Sequence, residues 1–374
     1  MSGSTARMDT TAGTTMPTRR PSRRLVALGL AVGLSLAGCN SLGDGDGEGG
    51  PASGGGGGGE TVTMARATWD TGWFQAEVYR QLLTEIGYSV TDPAAVTRDA
   101  NGFYPALARG EFDLWANGWF PLHEPYRQGE LVTGQSYAAA VSPVGQQVAA
   151  GARQGYLVDK ATADEMGITS MTDFEDAAVA AAFDGDGNGL ADLIGCNDGW
   201  GCNLTITDHI AELPWGPNVE QVVGEYNSLF DDVLAAVDAG EPVLFYTWTP
   251  NWTVAEVIPG EDVVWLPSPS LEGVDNTEVD GLQGCAGDAD PCDLGWQIND
   301  IQAVANTDFL DDHPDVNALL EAVEIPLDDI AAQNEEMRQA DDYGSAQLTA
   351  AAETWISDNR DQVDEWIQAA RDAG

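Results

Sequence analysis

The chain carries one lysine, Lys160, and three histidines among 374 residues. Lys and Arg together number 15 against 61 Asp and Glu, a formal net charge of −46. A field of that sign repels polyanions, which excludes nucleic acid and anionic membrane surfaces as partners. The sequence has no Gly-x-Ser-x-Gly elbow, no P-loop, no dinucleotide fingerprint and no His-Glu-x-x-His. His209 and His313 stand apart from residues of catalytic type and read as surface or satisfied-core positions. An extracellular hydrolase working with carboxylates alone stays open among so many acids, yet no pair of them is picked out.

The apolar-rich run Leu25 to Leu36 is shorter than the roughly 20 residues that a membrane helix needs. It follows Arg19, Arg20, Arg23 and Arg24 and leads into Leu36-Ala37-Gly38-Cys39, the layout of a secretory signal whose cut site resembles a bacterial lipobox. Residues 1–38 are therefore expected to be a lipoprotein signal peptide, with Sec and twin-arginine export both open. The mature chain would start at an acylated Cys39, extracytoplasmic and held to the outer face of the cell membrane, or periplasmic, through that lipid only. Residues 39–60, nearly all Gly, Ser and acid after the Cys, read as a flexible tether.

The remaining 61–374 exceed the usual single core, and two lobes are expected. Its acids are interspersed with apolar positions, as in Asp361, Val363, Asp364, Glu365, Trp366 and Ile367, which indicates an acidic surface on a folded protein. Such a surface suits life in high salt, where self-repulsion is screened. Four cysteines remain: Cys196, Cys202, Cys285 and Cys292. An even number in an exported chain favours two local disulfides within the near pairs. The rival is a zinc site, for which C-x5-C and C-x6-C are wider than the customary spacing.

Apolar periodicity gives an opening strand at Val62 and Met64, a helix through Phe74, Val78, Leu82 and Ile86, and an extended stretch at Tyr88 to Val90. Helix is expected at Phe103 to Ala108 and Ala161 to Met166. Strands are expected at Phe112 to Ala116, Val148 to Ala150, Tyr156 to Val158, Val243 to Thr247 and Ile301 to Ala305. Helices then dominate: Val316 to Val323, Leu327 to Met337, Gln347 to Ile356 and Gln362 to Arg371. Strands alternating with helices make an α/β fold, where functional residues gather beyond strand ends. Trp119 and Trp248 fall just after strand candidates.

Three segments combine an aromatic with residues that stiffen or bare the backbone: Asn117-Gly-Trp-Phe-Pro-Leu-His123, Gly195-Cys-Asn-Asp-Gly-Trp-Gly-Cys202 and Tyr246-Thr-Trp-Thr-Pro250. They resemble the ligand-binding segments of the ProU-type glycine betaine and proline betaine-binding proteins (OpuAC-like), the receptors of ABC importers for compatible solutes. Gly155 to Asp164, Phe183 to Gly195, Asp262 to Leu266 and Ile330 to Met337 read like that family in the same order, so the resemblance covers most of 61–370.

The resemblance implies a two-lobed periplasmic-binding-protein fold of type II, with two interlobe crossovers and the ligand in the cleft. Residues 61–155 plus 296–374 would form lobe I and 156–295 lobe II. It implies an osmoprotective, non-enzymatic monomer that delivers a zwitterion to an ABC permease and its ATPase. Trp119, Trp200 and Trp248 would form an aromatic box for the quaternary ammonium. The backbone N–H groups of Gly201 and Cys202, with the His123 side chain, would hold the carboxylate. A receptor of the same fold for choline or carnitine is the rival. Trp115 and Trp252 read as packing residues, while Trp69 and Trp73 depart from the family segment, and one of these rings could extend the box.

No cofactor is expected beyond one structural candidate. Asp184, Asp186, Asn188 and Asp192 match the start of a calcium loop, but Gly195 stands where the bidentate Glu belongs. The competing reading is an acidic turn that stiffens the neighbouring binding loop.

Overall fold

The computed structural model describes residues 60–340 and 343–374. The expected signal peptide, Cys39 and nearly all of the tether lie outside the described residues. Among those described, no helix is long and apolar enough to cross a membrane.

Among the described residues, nine strands form one mixed sheet. They are β1 (Met64–Ala67), β2 (Thr97–Arg98), β3 (Leu114–Phe120), β4 (Val141–Asp159), β5 (Ala191–Ile194), β6 (Val219–Val222), β7 (Leu244–Thr249), β8 (Val263–Leu266) and β9 (Asn299–Asn306). The order is β2-β1-β3-β9-β4-β7-β5-β6, with β8 also paired to β4. The pairs β1–β2, β1–β3, β5–β6 and β5–β7 are parallel, whereas β4 and β9 run antiparallel to their neighbours.

The 19-residue strand β4 is the spine. Its first part, from Val141 to Ala152, lies along β9. From Arg153 to Val158 it pairs with β7, and from Tyr156 to Asp159 with β8. Val148 to Ala150 and Tyr156 to Val158, expected as separate strands, are pieces of this one element. Gly145, Gly151 and Gly155 each sit where a neighbour crowds the backbone. A Cβ on Gly155 would come 3.1 Å from the Trp265 ring, and one on Gly145 would come 2.2 Å from the Leu320 carbonyl oxygen. A second correction concerns Trp119 and Trp248, which lie within β3 and β7 rather than beyond them. Gly118 reads as a strand end because glycine weakens strands. Here a Cβ would fall 2.3 Å from Cγ2 of Val304, so the bare backbone is what lets β3 and β9 stay paired.

Helices α1 (Trp73–Glu85), α2 (Ala100–Ala108), α3 (Gly201–Glu212), α4 (Tyr226–Ala239), α5 (Pro314–Ala322), α6 (Leu327–Gln339), α7 (Ser345–Asp358) and α8 (Arg360–Ala373) complete the frame used below. α1 forms where expected, burying Phe74, Val78 and Leu82, and packs against α7, as α5 packs against α8. Asp99 caps α2 by accepting from the Gly102 N–H at 2.6 Å. Glu225 caps α4, which ends on Gly240 at φ +66°, a left-handed turn that glycine adopts without steric cost. α3 and α4 do not emerge from apolar periodicity.

Both cysteine pairs are disulfides, Cys196–Cys202 with S–S 2.03 Å and Cys285–Cys292 with 2.02 Å. This resolves the choice against a four-cysteine zinc site.

Gly145 combines φ +66° with a Leu320 carbonyl oxygen that would stand 2.2 Å from any Cβ placed there. Replacing it with alanine therefore costs roughly 2–3 kcal/mol through strain and overpacking on the spine strand. Urea unfolding of G145A checks this; a stability equal to wild type would show that β4 tolerates a side chain there.

Candidate ligand-binding cavity

A cavity is lined by Trp69, Trp119, Leu122, His123, Gln154, Trp200, Gly201, Cys202, Tyr246 and Trp248. All six residues expected at the ligand site are in this lining. Larger surface depressions exist, one beside the Cys285–Cys292 bridge, but they are polar and do not gather aromatic rings.

The indole rings are buried, with 4–7% exposure for Trp69, Trp119, Trp200 and Trp248. Each of these four indole N–H groups has an acceptor in the protein. Those of Trp69 and Trp119 both donate to Oδ1 of Asn117, at 2.6 and 2.9 Å. That of Trp200 donates to Thr68 Oγ1 at 2.8 Å, and that of Trp248 points to Thr71 Oγ1 at 3.4 Å. Trp200 stands nearly perpendicular to Trp248, with centroids 5.9 Å apart, and to Trp69, at 5.4 Å. The donors being engaged elsewhere, the rings offer the cavity their hydrocarbon surfaces and π faces.

The opposite chemistry comes from the start of α3. Gly201 and Cys202 are its first two residues, and Trp200, at the N-cap, supplies no side-chain cap. The first N–H groups of a helix have no intrahelical acceptor and carry the positive end of its dipole, which makes an anion site. The Cys196–Cys202 bridge ties the preceding loop to this turn. A Cβ on Gly201 would lie 2.8 Å from Leu122, so glycine lets the turn pack against the loop that carries His123.

His123 is 2% exposed. The Trp119 backbone N–H donates to its Nδ1 at 3.1 Å, and the Tyr104 hydroxyl lies 3.2 Å from the same atom. Since a backbone N–H can only donate, Nδ1 is the acceptor and the ring proton sits on Nε2. Burial pushes the imidazolium pKa down to about 3, so the ring is neutral at ordinary pH and Nε2–H is a donor without a full charge. Among the described residues no charged side chain lines the cavity.

Trp115 is fully buried, stacked on His123 at 5.7 Å, and Trp252 is buried against Phe230, both as packing residues. Trp73 stays out of the lining, under the Arg66 guanidinium with its N–H on the Ala67 carbonyl. Trp69 is in it, a fourth ring. Tyr246, Gln154 and Leu122 also line the cavity, although the sequence does not single them out as ligand contacts. His209 is a core residue, 2.8 Å from the Tyr156 hydroxyl and lowered to about 4 by burial. In the acidic turn, Asp184 accepts from the N–H groups of Gly187, Asn188 and Gly189, and Asp192 accepts from that of Gly185. Among the described residues no three His, Cys, Asp or Glu side chains converge to hold a metal. The turn is built on its own backbone donors, and the calcium reading of Asp184, Asp186, Asn188 and Asp192 gains no support from the geometry.

Residues 60–358 match a family described as the substrate binding domain of ABC-type glycine betaine transport systems, OpuAC. The chain is 34% identical over 315 residues to the glycine betaine-binding periplasmic protein OusX of Dickeya dadantii, covering 84% of this chain and 90% of the relative. It is 32% identical over 312 residues to the glycine betaine/proline betaine-binding periplasmic protein of Escherichia coli, covering 83% and 90%. Among solved structures it is similar to lactococcal OpuAC in a closed-liganded conformation complexed with glycine betaine, with a TM-score of 0.60 at 17% identity over 82% of this chain and 99% of the other.

The buried neutral imidazole gives a direct test. Imidazole ¹⁵N NMR should show His123 as the Nε2–H tautomer, without titration between roughly pH 5 and 9. The unfolded ring has the ordinary pKa and takes up protons first. This stabilising contribution is therefore complete above the ordinary value and is lost as pH falls toward 3. A His123 resonance that titrates near pH 6.5 would contradict the assigned tautomer and burial.

Proposed function

The chain belongs to the OpuAC family of substrate-binding domains of ABC-type glycine betaine transport systems, and from that premise we propose that it is the extracytoplasmic receptor of an importer for glycine betaine or proline betaine. The observation that carries the reading is the division of the cavity into ring surfaces whose N–H groups are all engaged elsewhere and a helix start with two uncapped N–H groups beside the neutral His123. A trimethylammonium group has no N–H to donate, so ordinary acceptors cannot grip it. Ring faces can, at roughly 0.5–2 kcal/mol each once water is excluded. Trp119, Trp200 and Trp248 take that end. Gly201 N–H, Cys202 N–H and His123 Nε2–H take the carboxylate.

Electroneutrality supports the same choice. A cavity lined by no charged side chain suits a ligand with no net charge, and the surrounding net charge of −46 disfavours a simple anion. Choline would leave the donors at α3 and His123 with a single hydroxyl where a carboxylate belongs. A buried donor left unmade costs about 1–3 kcal/mol.

Capture needs no covalent step. Residues 61–155 with 296–374 form one lobe in this reading and 156–295 the other, with Trp119 and His123 on the first and Trp200, Gly201, Cys202 and Trp248 on the second. A ligand touching both favours the closed state, which the permease and its ATPase then recognise. Contacts between these segments support the closed arrangement: Trp200 to Thr68, Asn227 Nδ2 to Asp70 Oδ2 at 3.1 Å, and the Tyr126 hydroxyl to the Gly199 carbonyl at 3.2 Å. An acylated Cys39 would keep the receptor at the membrane.

Calorimetry with glycine betaine, proline betaine, carnitine and choline tests the assignment. Binding of a betaine is expected to fall at least tenfold in W200A and in W248A, and to stay within threefold of wild type when Trp366, remote in the α8 packing, is changed to Phe. A response to choline with none to either betaine would overturn the reading. The affinity should also be flat from pH 6 to 9, because His123 donates as a neutral ring. An imidazolium donor with an ordinary pKa would instead lose affinity progressively above about pH 6.5.

A further inference from the structure

Gln154 sits on β4 directly opposite Trp248 on β7, so the two side chains leave the same face of the sheet. It lines the cavity and is 1% exposed. The Tyr246 hydroxyl, one strand repeat from Trp248, donates to Gln154 Oε1 at 2.7 Å. That bond commits the acceptor end of the amide to the protein. The donor end, Nε2, is buried and has no protein partner among the described residues.

Every other side-chain donor in the lining but one is engaged: four indole N–H groups on Asn117, Thr68 and Thr71, and the Tyr246 hydroxyl on Gln154 itself. The exception is Nε2–H of His123, already placed on the carboxylate. A buried amide donor with no partner in the protein is satisfied by what fills the space in front of it. A trimethylammonium group cannot do this, because it is cationic and offers no lone pair. The ligand's acceptor end can.

We infer that Gln154 is a specificity-determining ligand contact, its Nε2–H donating to the carboxylate of the bound zwitterion while Tyr246 holds Oε1. This rests on the betaine reading of the cavity and deepens it, since it adds a side-chain donor from the spine strand to the α3 backbone and His123. Hydrogen bonds to an ionised acceptor are shorter and stronger than neutral ones, so the contact separates a carboxylate ligand from an alcohol of similar shape.

The test uses the full chain and glycine betaine, with calorimetry at pH 8.5. Q154E retains an acceptor for the Tyr246 hydroxyl but turns the donor into a like charge. Q154M is neutral and of similar length, and it carries the test if Q154E does not fold. Y246F removes the supporting bond and leaves the Gln154 donor. The expected result is at least a tenfold loss of affinity in Q154E and in Q154M, and a smaller loss in Y246F than in Q154M. Q154M within threefold of wild type would overturn the inference. Equal losses in Q154M and Y246F would overturn it too, because Gln154 would then act only by packing with Tyr246. Absence of betaine binding by the wild-type chain would instead bring down the functional reading itself.

Discussion

Asn117 accepts two indole N–H bonds on one oxygen, from Trp69 and Trp119, and the cavity depends on bonds of this kind. A tryptophan facing a ligand that has no acceptor at its cationic end must dispose of its own donor, or burial leaves that donor unpaired. Thr68 and Thr71 perform the same service for Trp200 and Trp248. Both threonines lie in the short connection between β1 and α1, whereas the two rings come from α3's cap and β7. The bonds that free the ring faces are thus also bonds that draw distant parts of the chain together around the cavity.

The proposed carboxylate end follows from a different constraint. α3 begins without a side-chain cap, which in most helices is a stability loss of about 1 kcal/mol, and the uncapped N–H groups face a cavity free of competing charge. The disulfide from Cys202 to Cys196 holds that turn in place without placing a polar side chain on it. Trp119 N–H does the equivalent for His123 by occupying Nδ1 and so directing the proton to Nε2. Pre-set donors lose little freedom when an anion arrives.

Much of the site is legible in the sequence because each of its three segments pairs an aromatic with a glycine, a proline or a cysteine, and such pairs are rare enough to stand out. α1 and the C-terminal helices are legible through period alone. What stays hidden depends on pairing between distant segments. The spine β4 carries Gly145 and Gly155, whose reason lies in Leu320 and Trp265, and no local signal names those neighbours. α3 opens Gly-Cys-Asn-Leu-Thr-Ile-Thr, with no cap residue and two β-branched threonines, so propensity argues against the helix whose start is the proposed anion site. Gln154 has no motif around it, and only the β4–β7 register places it beside Trp248. Trp69 does carry a signal, a tryptophan in the polar turn after the first strand. Departure from the family segment weighs against it.

An acidic chain has a particular problem in closing around a ligand. Asp99 and Asp198, from segments on either side of the Tyr126–Gly199 contact, both push the Tyr126 hydroxyl pKa upward, after burial, which is the larger cause. Burial likewise holds the Asp70 carboxyl above its usual range, the Asn227 bond opposes that, and Glu225 adds to it. In the proposed closed arrangement carboxylates thus lie toward one another at the edge of the cavity. The attraction offered against this is sparse: Arg338 reaches Asp231 at 2.6 Å and lies over the Trp252 ring at 4.4 Å. With so little cationic help, the ligand and the uncharged polar contacts must favour closure, and salt assists by screening the exposed pairs over about 8 Å at physiological strength. A zwitterion adds no net charge to this balance, whereas an anion would worsen it. The uncharged lining and the acidic exterior thus point to the same kind of ligand by independent routes.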